Sequence, residues 1–546
     1  SRGLGDVYKR QEIRLKVMFY NSANSFKFND CVAHGACSVS PNIASLQEIM
    51  FILLKQITYY ILKLEELGID KHDLKYSVIR QIAMLDAAKD LSEEQILNEF
   101  SKQYINLFTV HKEYTEVCKE RKLDCKTLKD LLKFSPKTDL SSILKKGEKS
   151  FLKKYKDSDI NIKYWSEILY GVLKSVCINL VRLFEFNREN NEAVDTVLES
   201  LNMLNAQRIS PAKLKMQIEK LAVNDIELLK LINSVQIENY GEIGQSEVSY
   251  STRPHKAIMV SGSNLCDFAS VLEQTKDEDV DVYTNGNLLV AHLFPHFKEY
   301  KNLQGHFGNG ITTTILDFAT FPGAILLTKN EVQNIEYLYR GRLFTTDEIS
   351  PKGVSKIENN DFSPLIESAK QAKGFAKGQK RDSDIIGYDE EKLNKLLDDI
   401  TENKYEHVFV IGLSNFSPQL NDYFEKFFSL MPKNSVAISF SYNPNMENVF
   451  TINLGNDYSL LYGVLHKIFA KIPLTADNLT LFLTKCDISS LSNIINLKSR
   501  GAKDIYLSDC PPMVINPTVL KAFSKLFDVH TLTTPKQDLD VILKKE

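Results

Sequence analysis

No apolar run in this chain approaches a bilayer span; Ile49–Leu54 is among the longest, and Lys55 ends it. Net charge is nearly absent as well: 67 Lys and Arg stand against 70 Asp and Glu, a balance of −3. So even a balance gives no global case for nucleic acid or an anionic membrane as a partner. Neither is expected, and partner and oligomeric state stay unnamed. The common phosphate and hydrolase signatures are missing. There is no GxGxxG, the stretch 374–380 (GFAKGQK) lacks Walker spacing, and GxSxG, HExxH and CxxC do not occur. The first eleven residues, SRGLGDVYKRQ, have no apolar h-region. They read as translated adapter sequence, so residues 1–17 are set aside as a scar or disordered leader, with Met18 as the start. A cytoplasmic, reducing location is expected, with the eight cysteines mostly free thiols.

What is there is globular. Hydrophobic residues make up 43% and charged residues 25% of 546 residues, enough for several domains with a large core. From Pro41 to about Glu238 the apolar spacing is helical. Ile43, Leu46, Ile49, Met50, Leu53 and Leu54 repeat at i, i+3, i+4 and i+7. Ser92 with Gln95 predicts a capping box, and Ser210-Pro211 a helix start. A polar stretch at 240–253 reads as a linker. Beyond it short apolar runs alternate with helices, the rhythm of parallel βαβ units. Strands are predicted at 256–260, 280–283, 324–327 and 343–345. After a lysine-rich loop at 370–384 they resume at 407–411, 436–440, 479–483, 504–507 and 530–533. The fold class is thus α plus α/β: a helical domain at 18–245 and two α/β domains at 246–400 and 401–546.

Ligands of open α/β sheets bind beyond the carboxyl ends of the strands. Three strings near those ends are distinctive: DVYTNGNLLVAHLFPHFKEYKNLQGHFGNG (281–310), FPGAILLTKN (321–330) and GRLFTT (341–346). With VMFYNSANSFKFNDCVAHGACSVSPNIASLQE (17–48), they resemble the hybrid cluster protein family, also called hydroxylamine reductases. The resemblance runs in order along nearly the whole chain from Met18 and implies the family's helical and two α/β domains. It also implies an N-terminal iron–sulfur cluster, [4Fe-4S] or [2Fe-2S], held by four cysteines. A hybrid iron–sulfur–oxygen cluster would be held by cysteines, one histidine and two glutamates.

The implied ligand positions hold other residues. The family's histidine falls on Ser263, its first glutamate on Asn287 and a cysteine on Glu331. Further cysteines fall on Ser414, on or near Tyr442, and on Asp457. The last glutamate falls on Asp487 and a nearby lysine on Ser489. Cys31 and Cys37 match only the second N-terminal pair. Between Cys266 and Cys486 the sequence has no cysteine at all, so three of the four thiolates expected there are absent. Iron–sulfur clusters depend on thiolate ligands.

The resemblance therefore implies a non-redox pseudoenzyme with a binding or scaffolding role and no cluster. The alternative is an oxidoreductase that reduces hydroxylamine or nitric oxide at an unfamiliar metal centre; whether the chain is an enzyme stays open. Cys31 and Cys37 are expected as unliganded remnants, or else as a half-site completed by a second chain. Cys118 and Cys125 read as incidental, and Cys266 and Cys486 as partnerless. His292, His296 and His306 have metal-like spacing but read as hydrogen-bonding scaffold. Glu331, Asp457 and Asp487 are expected to share a pocket. There they would be solvated, paired with Lys329, Lys485 or His292, or bound to a hard cation such as Mg²⁺ or Ca²⁺.

Overall fold

The structure, a computed structural model, describes residues 41–87, 92–134, 139–157, 160–206, 209–310, 315–328, 339–350, 352–412, 420–440, 446–484, 488–508 and 523–544. It separates into two compact units. One gathers residues up to Leu228 with Cys486–Arg500 and Asp509–His530; the other holds Leu229–Lys485, Gly501–Ser508 and Thr531–Glu546.

The first unit is helical. Its helices are α1 (Pro41–Glu65), α2 (His72–Ala87), α3 (Glu93–Glu120), α4 (Leu140–Asp157), α5 (Ile160–Glu185) and α6 (Asn191–Met203), with most of α7 (Pro211–Tyr240). Helix α1 is the central one. Leu46, Ile49, Met50, Leu53, Leu54, Ile57 and Ile61 are fully buried, because their 3.6-residue spacing faces α3 on one side and α4 on another. The predicted capping box is present: Ser92 Oγ accepts from the Gln95 N–H, and Gln95 Oε1 accepts from the Ser92 N–H.

One expectation is corrected here. Cys118 and Cys125 are bonded as a disulfide, with Cα atoms 6.0 Å apart. The physical reason is the end of α3, where the Leu123 N–H donates to the Cys118 carbonyl at 2.9 Å and folds the chain back. Cys177 and Cys266 are free thiols.

The second unit carries two six-stranded sheets. The strands of the first are β2 (Ala257–Ser261), β3 (Asp281–Asn285), β4 (Leu303–His306), β5 (Ala324–Leu327), β6 (Leu343–Thr345) and β7 (Ser355–Lys356). Their order is β4-β3-β2-β5-β6-β7, parallel throughout. The second sheet has β9 (His407–Ile411), β10 (Ser435–Phe440), β11 (Val449–Ile452), β12 (Leu479–Leu483), β13 (Asp504–Leu507) and β14 (His530–Thr531). Its order is β11-β10-β9-β12-β13-β14, parallel from β11 to β13. Both sheets start from an inner strand, wind outward on one side and then on the other, so each has a switch point beside its first strand. The strands that flank the switch are buried on every residue, as a sheet covered on both faces requires.

The stretch at 240–253 is more than a linker. Within it, β1 (Ser246–Ser249) pairs antiparallel with β8 (Ser383–Ile386). Both are short and polar, with one buried residue each, Val248 and Ile386. An alternation that brief leaves no period to detect.

Candidate functional site

The carboxyl edge of the first sheet is built around its switch point. Strand β2 ends at Ser261, and Gly262 turns the chain at φ 126°. A side chain there would collide with the Thr328 carbonyl beyond β5. The turn carries Ser263, which is half-buried, into Asn264. Asn264 Oδ1 accepts from the Cys266 and Asp267 N–H groups at 2.9 and 3.1 Å and caps the helix 265–275. Ser261 Oγ donates to Asn285 Oδ1 at 2.7 Å, and Asn285 Nδ2 donates to the Phe307 carbonyl at 2.7 Å. Three successive strand ends are thereby tied together. Asn287 follows β3 in a 3-10 turn, Gly286–Leu293, and is half-buried.

The histidines meet at Thr284. His306 Nε2 lies 2.7 Å from the Gly310 carbonyl oxygen. A carbonyl only accepts, so that nitrogen carries the proton and Nδ1 is an acceptor. The Thr284 hydroxyl donates to His306 Nδ1 at 2.9 Å and then accepts from His292 Nε2, also at 2.9 Å. Both rings are neutral. Burial lowers His292 to about 3, with the charge of His306 adding to the effect, and lowers His306 to about 4. The structure thus shows His292 and His306 as hydrogen-bonding scaffold. His296 packs its ring against Tyr240 at 5.6 Å.

Two acidic groups sit beside this edge. The Tyr240 hydroxyl donates to Cys266 Sγ at 3.7 Å, and burial pushes the thiol up to about 11. Asp267 was not read from the sequence as a site residue. Burial pushes its carboxyl up to about 6, against the Thr346 hydroxyl that donates to it at 2.6 Å. The only sequence signal was its place three residues after the N-cap Asn264.

In the second sheet Gly412 ends β9 at φ 89°, the counterpart of Gly262. Asp457 precedes α14 (Tyr458–Lys471; helices α8 to α13 lie between 265 and 430). Its Oδ1 accepts from the Ser459 and Leu460 N–H groups at 2.8 and 3.2 Å, and from the Ser459 hydroxyl. Ser489 opens the helix Ser489–Ser499 in the helical unit, its hydroxyl 3.2 Å from that of Ser175. Glu331, Ser414, Tyr442, Asp487, Cys31, Cys37, Cys486, Lys329 and Lys485 lie outside the described residues. Of the three carboxylates expected to share a pocket, only Asp457 can be placed, and its carboxylate is turned onto its own helix terminus. Among the described residues, no three His, Cys, Asp or Glu side chains are grouped to hold a metal ion.

Among the described residues, the groups at the matched positions are the hydroxyls of Ser263 and Ser489, the Asn287 amide and the helix-capping Asp457 carboxylate, none of them a sulfur donor. This set does not fit an iron–sulfur–oxygen cluster, which takes soft, deprotonated sulfur.

The model of the Prismane/CO dehydrogenase family matches residues 27–441. The hydroxylamine reductase of Rippkaea orientalis is 24% identical over 542 residues, covering 94% of this chain and 98% of the relative. That of Kosmotoga olearia is 25% identical over 563 residues, covering 97% and 100%. Among solved structures, an acetyl-CoA synthase/carbon monoxide dehydrogenase with NiZn[Fe4S4] and NiNi[Fe4S4] clusters aligns at a TM-score of 0.44 and 12% identity, over 93% of this chain and 83% of that one. No helix among the described residues is long and apolar enough to cross a membrane.

Proposed function

The chain belongs to the Prismane/CO dehydrogenase family, and on that premise we propose that it is a divergent member without cluster chemistry, retained to bind or scaffold. One observation carries the reading. The positions that the resemblance assigns to cluster ligands hold oxygen and amide groups, and the one that can be followed in detail, Asp457, is engaged in capping a helix. The cysteine-free interval from Cys266 to Cys486 supports it, since no rearrangement of side chains supplies a missing thiolate. The proposal places the chain in the cytoplasm.

Anaerobic purification followed by iron and acid-labile sulfide determination tests the reading. The expected result is a colourless protein with neither element above background and no reduction of hydroxylamine by a reduced dye. A brown protein with stoichiometric iron, or turnover of hydroxylamine or nitric oxide, overturns it in favour of an oxidoreductase.

A further inference from the structure

Several lysines of the helical unit have acidic partners. Lys63 pairs with Glu66 at 2.6 Å, Lys102 with Glu99 at 2.6 Å and Lys220 with Glu199 at 3.0 Å. One region departs from that pattern. Between Lys119 and Lys149 the sequence has ten Lys and Arg against five Asp and Glu, a local +5 in a chain whose total is −3. Lys119, Lys122, Lys126, Lys129, Lys133 and Lys149 are all exposed. None of the six forms an ion pair among the described residues.

These cations stand on a fixed platform. The Cys118–Cys125 disulfide closes the start of the 121–134 loop against α3. The Tyr59 and Tyr114 hydroxyls donate to the Lys126 carbonyl at 2.9 and 3.2 Å. Gln56 bridges the Asp130 carbonyl at 2.9 Å and the Leu132 N–H at 2.8 Å. Helix α4 joins the same surface through Lys146, which donates to the Lys133 carbonyl at 2.9 Å and lies 4.4 Å over the Phe134 ring. The field is felt inside: the charge of Lys133 adds to burial in holding His111 below the usual histidine range. Leu123, 47% exposed, is an apolar knob within it.

We propose that this lysine field, carried by the 119–134 loop and α4, docks a protein that presents a carboxylate-rich face. The chemistry of the surface selects that partner over other polyanions. Bidentate phosphate recognition favours arginine, but Arg121 donates to the Leu67 carbonyl at 2.7 Å. Single-stranded nucleic acid needs exposed aromatic platforms, whereas Tyr59 and Tyr114 aim their hydroxyls at the loop's own backbone. A membrane surface needs an exposed apolar stripe beside the cations, and α4 buries Ile143 in the core while packing on α1. What remains is a spread of ammonium point charges around one leucine. Such a surface steers fast, weak, salt-screened encounters with acidic protein faces. The field stands on its own geometry, whether or not the chain holds a cluster.

The full chain is titrated with fluorescent poly-L-glutamate, with a single-stranded oligonucleotide and with phosphatidylserine vesicles, at low salt and at about 0.15 M, where the Debye length is about 8 Å. Poly-L-glutamate is expected to bind best and to weaken steeply with salt. Lys122→Glu, Lys126→Glu, Lys129→Glu and Lys133→Glu together should weaken it about tenfold or more. The same four changed to Gln keep their apolar stems and the wild-type melt, and should lose most of the binding. Lys63→Gln, Lys102→Gln and Lys220→Gln, made together, should leave it intact. Poly-L-glutamate binding that ignores the four field substitutions overturns the proposal. So does tighter, field-dependent binding of the oligonucleotide or the vesicles.

Discussion

Thr284 has one hydroxyl proton and two imidazole neighbours, and that shortage sets how the first sheet responds to acid. The proton goes to His306 Nδ1, because His306 Nε2 is committed to the Gly310 carbonyl. Protonating His306 would turn its acceptor into a donor facing Thr284 and place a charge in a buried site. Both histidines are therefore held well below the unfolded value of about 6.5. A depressed histidine keeps its folded state neutral while the unfolded chain binds a proton. Stability is full above about pH 6.5 and falls steadily toward the folded values near 3 and 4. At pH 5 each histidine should cost about 2 kcal/mol. Asp267, raised to about 6, acts in the opposite sense, since its folded state binds the proton first and gains stability as pH falls through 6. The informative measurement is thus a difference. His306→Gln should flatten the decline of melting temperature between pH 6.5 and 4.5 relative to the wild type. Equal slopes would show that the relay is not what titrates. The strings around 281–310 made this scaffold role of the histidines legible. The hub was not, because a threonine at a strand end has no spacing signature.

At the scale of elements, Asp457 and the Cys118–Cys125 bridge make separate claims on stability. Asp457→Ala removes the N-cap of α14 and should cost about 1–2 kcal/mol in urea denaturation, while Asp457→Asn, itself a good cap, should cost far less. If the two substitutions are equally damaging, the carboxylate is doing something other than capping. The bridge closes a loop of sequence separation 7. Chain-entropy reasoning gives such a short loop about 2–3 kcal/mol, so reductant should lower the melting temperature of the wild type and leave Cys118→Ser/Cys125→Ser unchanged. Sequence reading did well where apolar runs are unbroken. The strands at 324–327, 343–345, 407–411, 479–483 and 504–507 lie where their apolar runs predicted. It missed β4, β11 and the β1–β8 pair. Those strands have only one or two buried residues each, so no unbroken apolar run marks them, and Leu303–His306 owes its pairing to a bulged register with β3 that only the folded sheet supplies. The bridge was missed because a helix end that folds back on itself leaves no trace in cysteine spacing.

For the whole molecule, the near-zero charge hides two opposite local facts: exposed lysines at 119–149 that form no ion pair among the described residues, and carboxylates at positions where the resemblance expects sulfur. The second invites the idea that a hard cation has replaced iron. The geometry argues against it. Ca²⁺ takes six to eight oxygens and Mg²⁺ demands a near-octahedral six, while Asp457 already accepts from two backbone N–H groups and a hydroxyl. Glu331 and Asp487 alone would be too few, and turning Asp457 toward an ion would uncap α14. Neither EDTA nor added Ca²⁺ or Mg²⁺ should then move the melting temperature. A resident cation would act by mass action on the folded state, adding about 2.7 kcal/mol at a hundredfold excess over its dissociation constant. A concentration-dependent rise of that kind, abolished by Asp457→Asn, would mean that the carboxylates converge after all and that the family scaffold has exchanged a soft metal centre for a hard one.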